Sequence, residues 1–163
     1  MRRRPIALLV ASLLLAGGVA GSAAPAGGTG SASATGIVGG GIVHLDGAQE
    51  VPPADPDGRG TFAYLAFGNT LCYLLTAQRI EPATMAHIHV GVRGANGPIA
   101  IGLVAPTRGF SADCIRAQPD TTPDSPTVLL RSELRSIVAN PAGFYVNVHN
   151  DPFPNGAIRG QLA

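Results

Sequence analysis

From about residue 42 onward the chain is written in short runs where side chains alternate between two faces. Thr61 to Phe67 places Phe62, Tyr64 and Ala66 on one side and Ala63, Leu65 and Phe67 on the other, the period of a β-strand. Leu71 to Thr76 follows Gly68-Asn69-Thr70, a hairpin-like connection. Met85 to Val90 puts Ala86, Ile88 and Val90 on one face and His87 and His89 on the other. Ile99 to Ala105 reads as a further strand. Phe144, Val146 and Val148 alternate with Tyr145, Asn147 and His149, and Ala157 to Leu162 closes the chain. One short helix is expected around Leu134, Ile137 and Val138, whose i, i+3, i+4 spacing ends at Asn140-Pro141. Pro106 to Pro126 is polar and proline-rich and reads as a long surface loop held by Cys114. About seven short strands in about 120 residues predict an all-β fold: an antiparallel, Greek-key-like β-sandwich with one short helix near the C-terminal third.

Before residue 42 the pattern changes. Arg2-Arg3-Arg4 precedes an apolar run from Ile6 to Ala16, and small residues follow, the layout of a secretory signal. The run is shorter than the roughly 20 residues of a membrane span. The expected organisation is a signal peptide over residues 1–26, a flexible Gly/Ser/Ala linker over 27–41, too poor in apolar residues to offset its ordering entropy, and a domain over 42–163. No stable membrane span is expected after cleavage, and the destination is secreted or extracytoplasmic.

Composition narrows the function. Charged residues are 13% of the chain, and every one of its 11 basic residues is arginine. With net charge +1 and no basic tract outside the N-terminal arginines, nucleic-acid binding has no electrostatic basis. The 22 glycines and 14 prolines favour turns and short strands over a helix bundle. Cys72 and Cys114 are the only two cysteines. An even count in an exported chain favours a disulfide between them, with a metal thiolate or a catalytic thiol as the alternatives.

His87-Ile88-His89 is the most informative pair, because side chains at i and i+2 of a strand leave the same face and can address one ion. His149 at the end of another predicted strand is the third candidate ligand, and His44 near the start of the domain is the least secure. Imidazoles without thiolates suit copper or zinc, and Cu(II) leads the Irving–Williams order. The competing reading makes His87 and His89 a polar outer face hydrogen-bonded to loop backbone. Asp151 is a candidate to orient an imidazole, or else Asn150-Asp151-Pro152 is simply a turn. Glu50 and Arg159 are candidates for a structural ion pair in a domain with few charges to offer. No nucleophile elbow, H-E-x-x-H or phosphate loop occurs, so no catalytic residue is assigned.

Taken in order, the motifs resemble one family. Leu45-Asp46-Gly47-Ala48-Gln49-Glu50-Val51-Pro52-Pro53, Leu71-Cys72-Tyr73, Ala86-His87-Ile88-His89-Val90-Gly91, Gly94-Ala95-Asn96-Gly97-Pro98, Phe144-Tyr145-Val146-Asn147-Val148-His149 and Pro154-Asn155-Gly156-Ala157-Ile158-Arg159-Gly160-Gln161-Leu162 look like a CHRD domain, the module named after chordin. The resemblance implies a secreted, non-enzymatic module that binds an undefined extracellular ligand or protein. His87, His89 and His149 match its pattern and His44 does not. A weaker similarity is to copper/zinc superoxide dismutase, in which an H-x-H strand, a later V-H, an arginine near the C-terminus and one disulfide recur. It implies an exported copper-binding protein as the alternative function, or a dismutase-like enzyme, although the bridging histidine and zinc cluster of that family have no counterpart here.

Overall fold

The computed structural model describes residue 36 and residues 38–163. The expected signal peptide (1–26) and the linker residues 27–35 and 37 lie outside the described residues. Eight strands form one antiparallel sheet: β1 (Val38–Asp46), β2 (Arg59–Phe67), β3 (Thr70–Gln78), β4 (Ala83–Val90), β5 (Ile99–Leu103), β6 (Phe110–Arg116), β7 (Phe144–Asn150) and β8 (Ile158–Gln161). Their order is β5-β4-β7-β8-β1-β2-β3-β6, so the hairpins β1–β2–β3, β4–β5 and β7–β8 are joined by crossovers in the manner of a Greek key.

The sheet curls around its core until its two edges nearly meet. Just past β5, the Val104 amide donates to the Tyr73 hydroxyl at 2.8 Å, and Ser111 Oγ of β6 donates to Val104 O at 2.7 Å. Below that seam the Gly102 amide donates to Pro126 O at 2.7 Å. The core face of β2 and β3 is Phe62, Tyr64 and Ala66 against Leu71, Tyr73 and Leu75, all buried. From the other half come Ala86, Ile88, Val146, Val148 and Ile158, none more than 2% exposed. Such close-packed aliphatic and aromatic contact is the main stabilising term of the fold.

The β2–β3 turn is the two residues Gly68-Asn69, with Gly68 at φ 55°, a conformation glycine adopts without penalty. The one α-helix among the described residues, α1 (Arg131–Ala139), buries Leu134 and Ile137. Glu133 Oε2 accepts from the Leu130 amide at 2.7 Å and so occupies one of the free donors at its start.

Two expectations need revision. The segment Pro106–Pro126 is not a continuous loop: Phe110–Arg116 is the edge strand β6, paired with β3. Its apolar-polar pattern is poor because an edge strand with one neighbour buries little, here Ser111 alone. Strand β1 also begins at Val38, pairing with Phe67 four residues before the expected domain start. Cys72 and Cys114 are bonded to each other across directly paired positions of β3 and β6. The disulfide therefore fastens that edge strand rather than a loop.

Candidate metal centre

On β7 every residue is buried, on both faces. Phe144, Val146 and Val148 fill the core, so alternation sends Tyr145, Asn147 and His149 outward. They remain buried because loops lie over them. The register sets the neighbours: Asn147 pairs with His87 of β4 and Arg159 of β8, and Tyr145 pairs with His89 and Gln161. Seven polar or aromatic side chains from three strands thus share one covered patch.

Arg159 is the framework of this patch. It is 1% exposed. Its guanidinium donates to Val92 O at 3.1 Å, Ala95 O at 2.9 Å and Asn96 Oδ1 at 3.3 Å, and its carbon lies 3.4 Å from the centre of the Tyr145 ring. The 91–98 loop is thereby tied down across β7 and β8. The Gln161 amide nitrogen lies 2.8 Å from the carbonyls of Gly91 and Ala142 and ties the start of that loop to the Pro141–Gly143 turn before β7.

The expected Glu50–Arg159 ion pair does not form; Arg135–Asp120 is the one ion pair among the described residues. Arg159 spends its donors on loop carbonyls instead. Glu50 is 5% exposed, and burial pushes its carboxyl up to about 7 against the opposing pull of the Arg159 charge, the Asn147 amide and the Val51 backbone. Its Oε1 has no hydrogen-bond partner.

His87, His89 and His149 come together as expected, offering one ligand atom each within 4.8 Å of one another. Two of the rings are oriented by backbone carbonyls. His89 Nδ1 lies 2.9 Å from Gly97 O, and His149 Nδ1 lies 2.9 Å from Pro154 O. A carbonyl only accepts, so each Nδ1 carries the proton and each Nε2 presents a lone pair. Both Nε2 atoms are 3.1 Å from Asn147 Oδ1, and His87 Nδ1 is 3.1 Å from His149 Nε2. The His89 ring also stacks on Tyr145, centroids 4.7 Å apart and planes 2° from parallel.

Gly97 is indispensable to this arrangement, because a Cβ there would overlap the Val90 carbonyl and push Gly97 O away from His89. Burial holds all three imidazoles below their ordinary range. For His87, with His149 and His89 adding to the effect, the value falls to about 4. For His89 and His149 burial outweighs the carbonyl hydrogen bonds that favour the cation. At neutral pH the cluster is therefore three uncharged rings, the protonation state a metal requires.

The donor set fits a transition-metal ion. Asn147 faces its carbonyl oxygen to two nitrogen lone pairs. Three acceptors then converge with no hydrogen between them, a conflict relieved by a cation at the shared point or by turning the amide end for end. Nitrogen atoms around a four-coordinate ion with bonds near 2 Å lie about 3–4 Å apart, so the widest separation in the triad, within 4.8 Å, needs to shorten by about 1–2 Å.

The match to the CHRD domain covers residues 42–162. The chain belongs to the CHRD-domain family. No curated protein matches it, nor does any solved structure. Within this CHRD domain the A-H-I-H-V-G motif is β4 running into the 91–98 loop, F-Y-V-N-V-H is β7, and the C-terminal motif carries Arg159 and Gln161 on β8. The motifs are thus the three adjacent strands of one patch. His44 is exposed on β1, paired with Thr61, away from the cluster. Asp151 is exposed and orients no ring; Asn150 Oδ1 accepts from the Phe153 amide at 3.0 Å in a turn. The two carbonyls that orient the rings, Gly97 O and Pro154 O, were beyond sequence reasoning, since backbone atoms carry no residue signature.

Proposed function

We propose that this CHRD protein is an exported copper-binding module in which His87, His89 and His149 hold Cu(II). The observation that carries the reading is the convergence of three neutral imidazoles, two of them with their protons committed to backbone carbonyls. Such ring-to-carbonyl bonds are the outer partners that fix tautomer and orientation in protein metal sites. Because the rings are already uncharged, Cu(II) needs only to displace the His87–His149 hydrogen bond, while the His87 proton moves to Nε2. Copper leads zinc for a nitrogen set of this kind. The signal-like N-terminus supports export, and the Cys72–Cys114 disulfide suits an oxidising compartment. Among the described residues no helix is long and apolar enough to cross a membrane. A dismutase-like activity gains no support, since the Arg159 guanidinium is committed to loop carbonyls and Tyr145.

A second reading, an extracellular binding module without metal, is favoured by one feature. The outer face of β1–β3 carries exposed Val38, Ile42, Leu65, Phe67 and Leu74, a contiguous apolar surface of the type that marks interaction sites.

Competition titration with Cu(II) separates the two. Wild type is expected to bind, and a His87→Ala/His89→Ala variant of unchanged fold to bind at least about 100-fold more weakly. Equal affinity in both proteins would remove the copper reading and leave the apolar face as the functional surface.

A further inference from the structure

Strand β4 carries another side chain on the face of His87 and His89. Met85 pairs directly with His149 across the β4–β7 ladder, and His87 follows two residues later. Opposed residues on neighbouring antiparallel strands leave the same side of the sheet with Cβ atoms about 5 Å apart, and residues i and i+2 share a face. The ladder irregularity falls between Ala83 and Met85, so the pairs Met85–His149, Ala86–Val148 and His87–Asn147 run in step. Ala86 points into the core at 2% exposed, which sets Met85 and His87 on the outer side. Met85 itself is 45% exposed and takes no part in the core. The chain contains only two methionines, and Met85 is the one among the described residues.

A lone thioether at the rim of three imidazoles has a definite chemical meaning. Thioether sulfur is soft and selects Cu(I), whereas imidazole serves both copper oxidation states. We propose that Met85 is a fourth ligand of this site, used for Cu(I), with Cu(II) held by the histidines alone. The inference rests on the copper reading and adds to it the oxidation state and the sulfur donor. The methionine side chain is unbranched with three rotatable bonds. From an exposed position it reaches the ion by rotamer change, with no backbone movement.

The test uses the purified protein and copper alone. Cu(I) affinity is measured by competition with bicinchoninate under anaerobic ascorbate, and Cu(II) affinity separately in air. Met85→Leu conserves volume and apolarity at an exposed site, so the fold is retained. The variant is expected to bind Cu(I) at least about tenfold more weakly, with Cu(II) affinity within about twofold of wild type. X-ray absorption of the Cu(I) form is expected to show a copper–sulfur shell in wild type that is missing in Met85→Leu. Unchanged Cu(I) affinity, or no sulfur shell in wild type, overturns the role of Met85 while leaving the histidine site standing. Wild type that binds copper in neither state overturns both.

Discussion

On β4, β7 and β8 the residues pointing away from the core are the histidines, Asn147, Tyr145, Arg159 and Gln161, with Met85 at the rim, and most are buried under loops. On β1, β2 and β3 the same outward positions hold Val38, Ile42, Leu65, Phe67 and Leu74, and these are bare. Period-two alternation is equally clear in both halves, yet it means different things. Around β2 it separates core from surface. Around β7 it separates one buried layer from another, and the second layer is polar, hydrogen-bonded and cross-linked by an arginine. Hydrogen bonds to loop carbonyls hold the rings and the guanidinium of this buried layer in place, which is what a ligand set needs. The bare apolar face has no such internal constraint and is free to vary in what it contacts.

The comparison is broken most severely through Arg159. Arg159→Leu removes the donors that hold Val92 O and Ala95 O and leaves Glu50 buried without its opposing charge. The acceptors left without a donor set the expected loss, on the order of 3–5 kcal/mol in urea unfolding. A loss below about 1 kcal/mol would mean that the polar layer does not depend on it. Breaking the Cys72–Cys114 bond by a double Ser substitution acts on the other half. The chain-entropy model gives a loss of about 4 kcal/mol, and the copper affinity should be unaltered, because the bond joins β3 to β6.

The pH profile sharpens the contrast further, with two opposed signs inside the polar layer. Glu50 has its folded value raised to about 7, so between about 4.5 and 7 the folded state holds the extra proton, and stability falls as pH rises through that window. The histidines run the other way. His87 is held down at about 4, so below about 6.5 the unfolded state takes up the proton first, and stability falls as pH drops. Glu50→Gln is expected to remove the first slope and leave the second, read as unfolding midpoints between pH 4 and 8. A profile identical to wild type would show that Glu50 is not buried as described. The smallest effect belongs to the bare face: Leu65→Ser should change stability by no more than about 0.5 kcal/mol, and a larger loss would show that the face is covered in solution.

How much of this was legible in the sequence follows the same division. Strands β2, β3, β4 and β7 announce themselves as short runs with apolar residues at every second position, around Phe62, Leu71, Ile88 and Val146. Strand β1 hid behind Gly39-Gly40-Gly41, a run that also reads as a linker; at Gly39 the missing side chain lets Val138 of α1 approach. Strand β6 hid because an edge strand has little to bury. Within the site, the ligand candidates were visible as H-x-H and a terminal V-H. The partners of Arg159 were not, because they are the carbonyls of Val92 and Ala95, and a guanidinium finding backbone acceptors leaves no trace in residue identity. The same holds for Pro154 O and Gly97 O, which set the ring tautomers.

The central claim, that three imidazoles converge as one ligand set, is tested most directly by pulsed electron paramagnetic resonance on the protein loaded with one equivalent of Cu(II). Remote-nitrogen couplings from three imidazoles are predicted, falling to two in His149→Ala. A spectrum with one imidazole or none, or one indifferent to loss of His149, would contradict it.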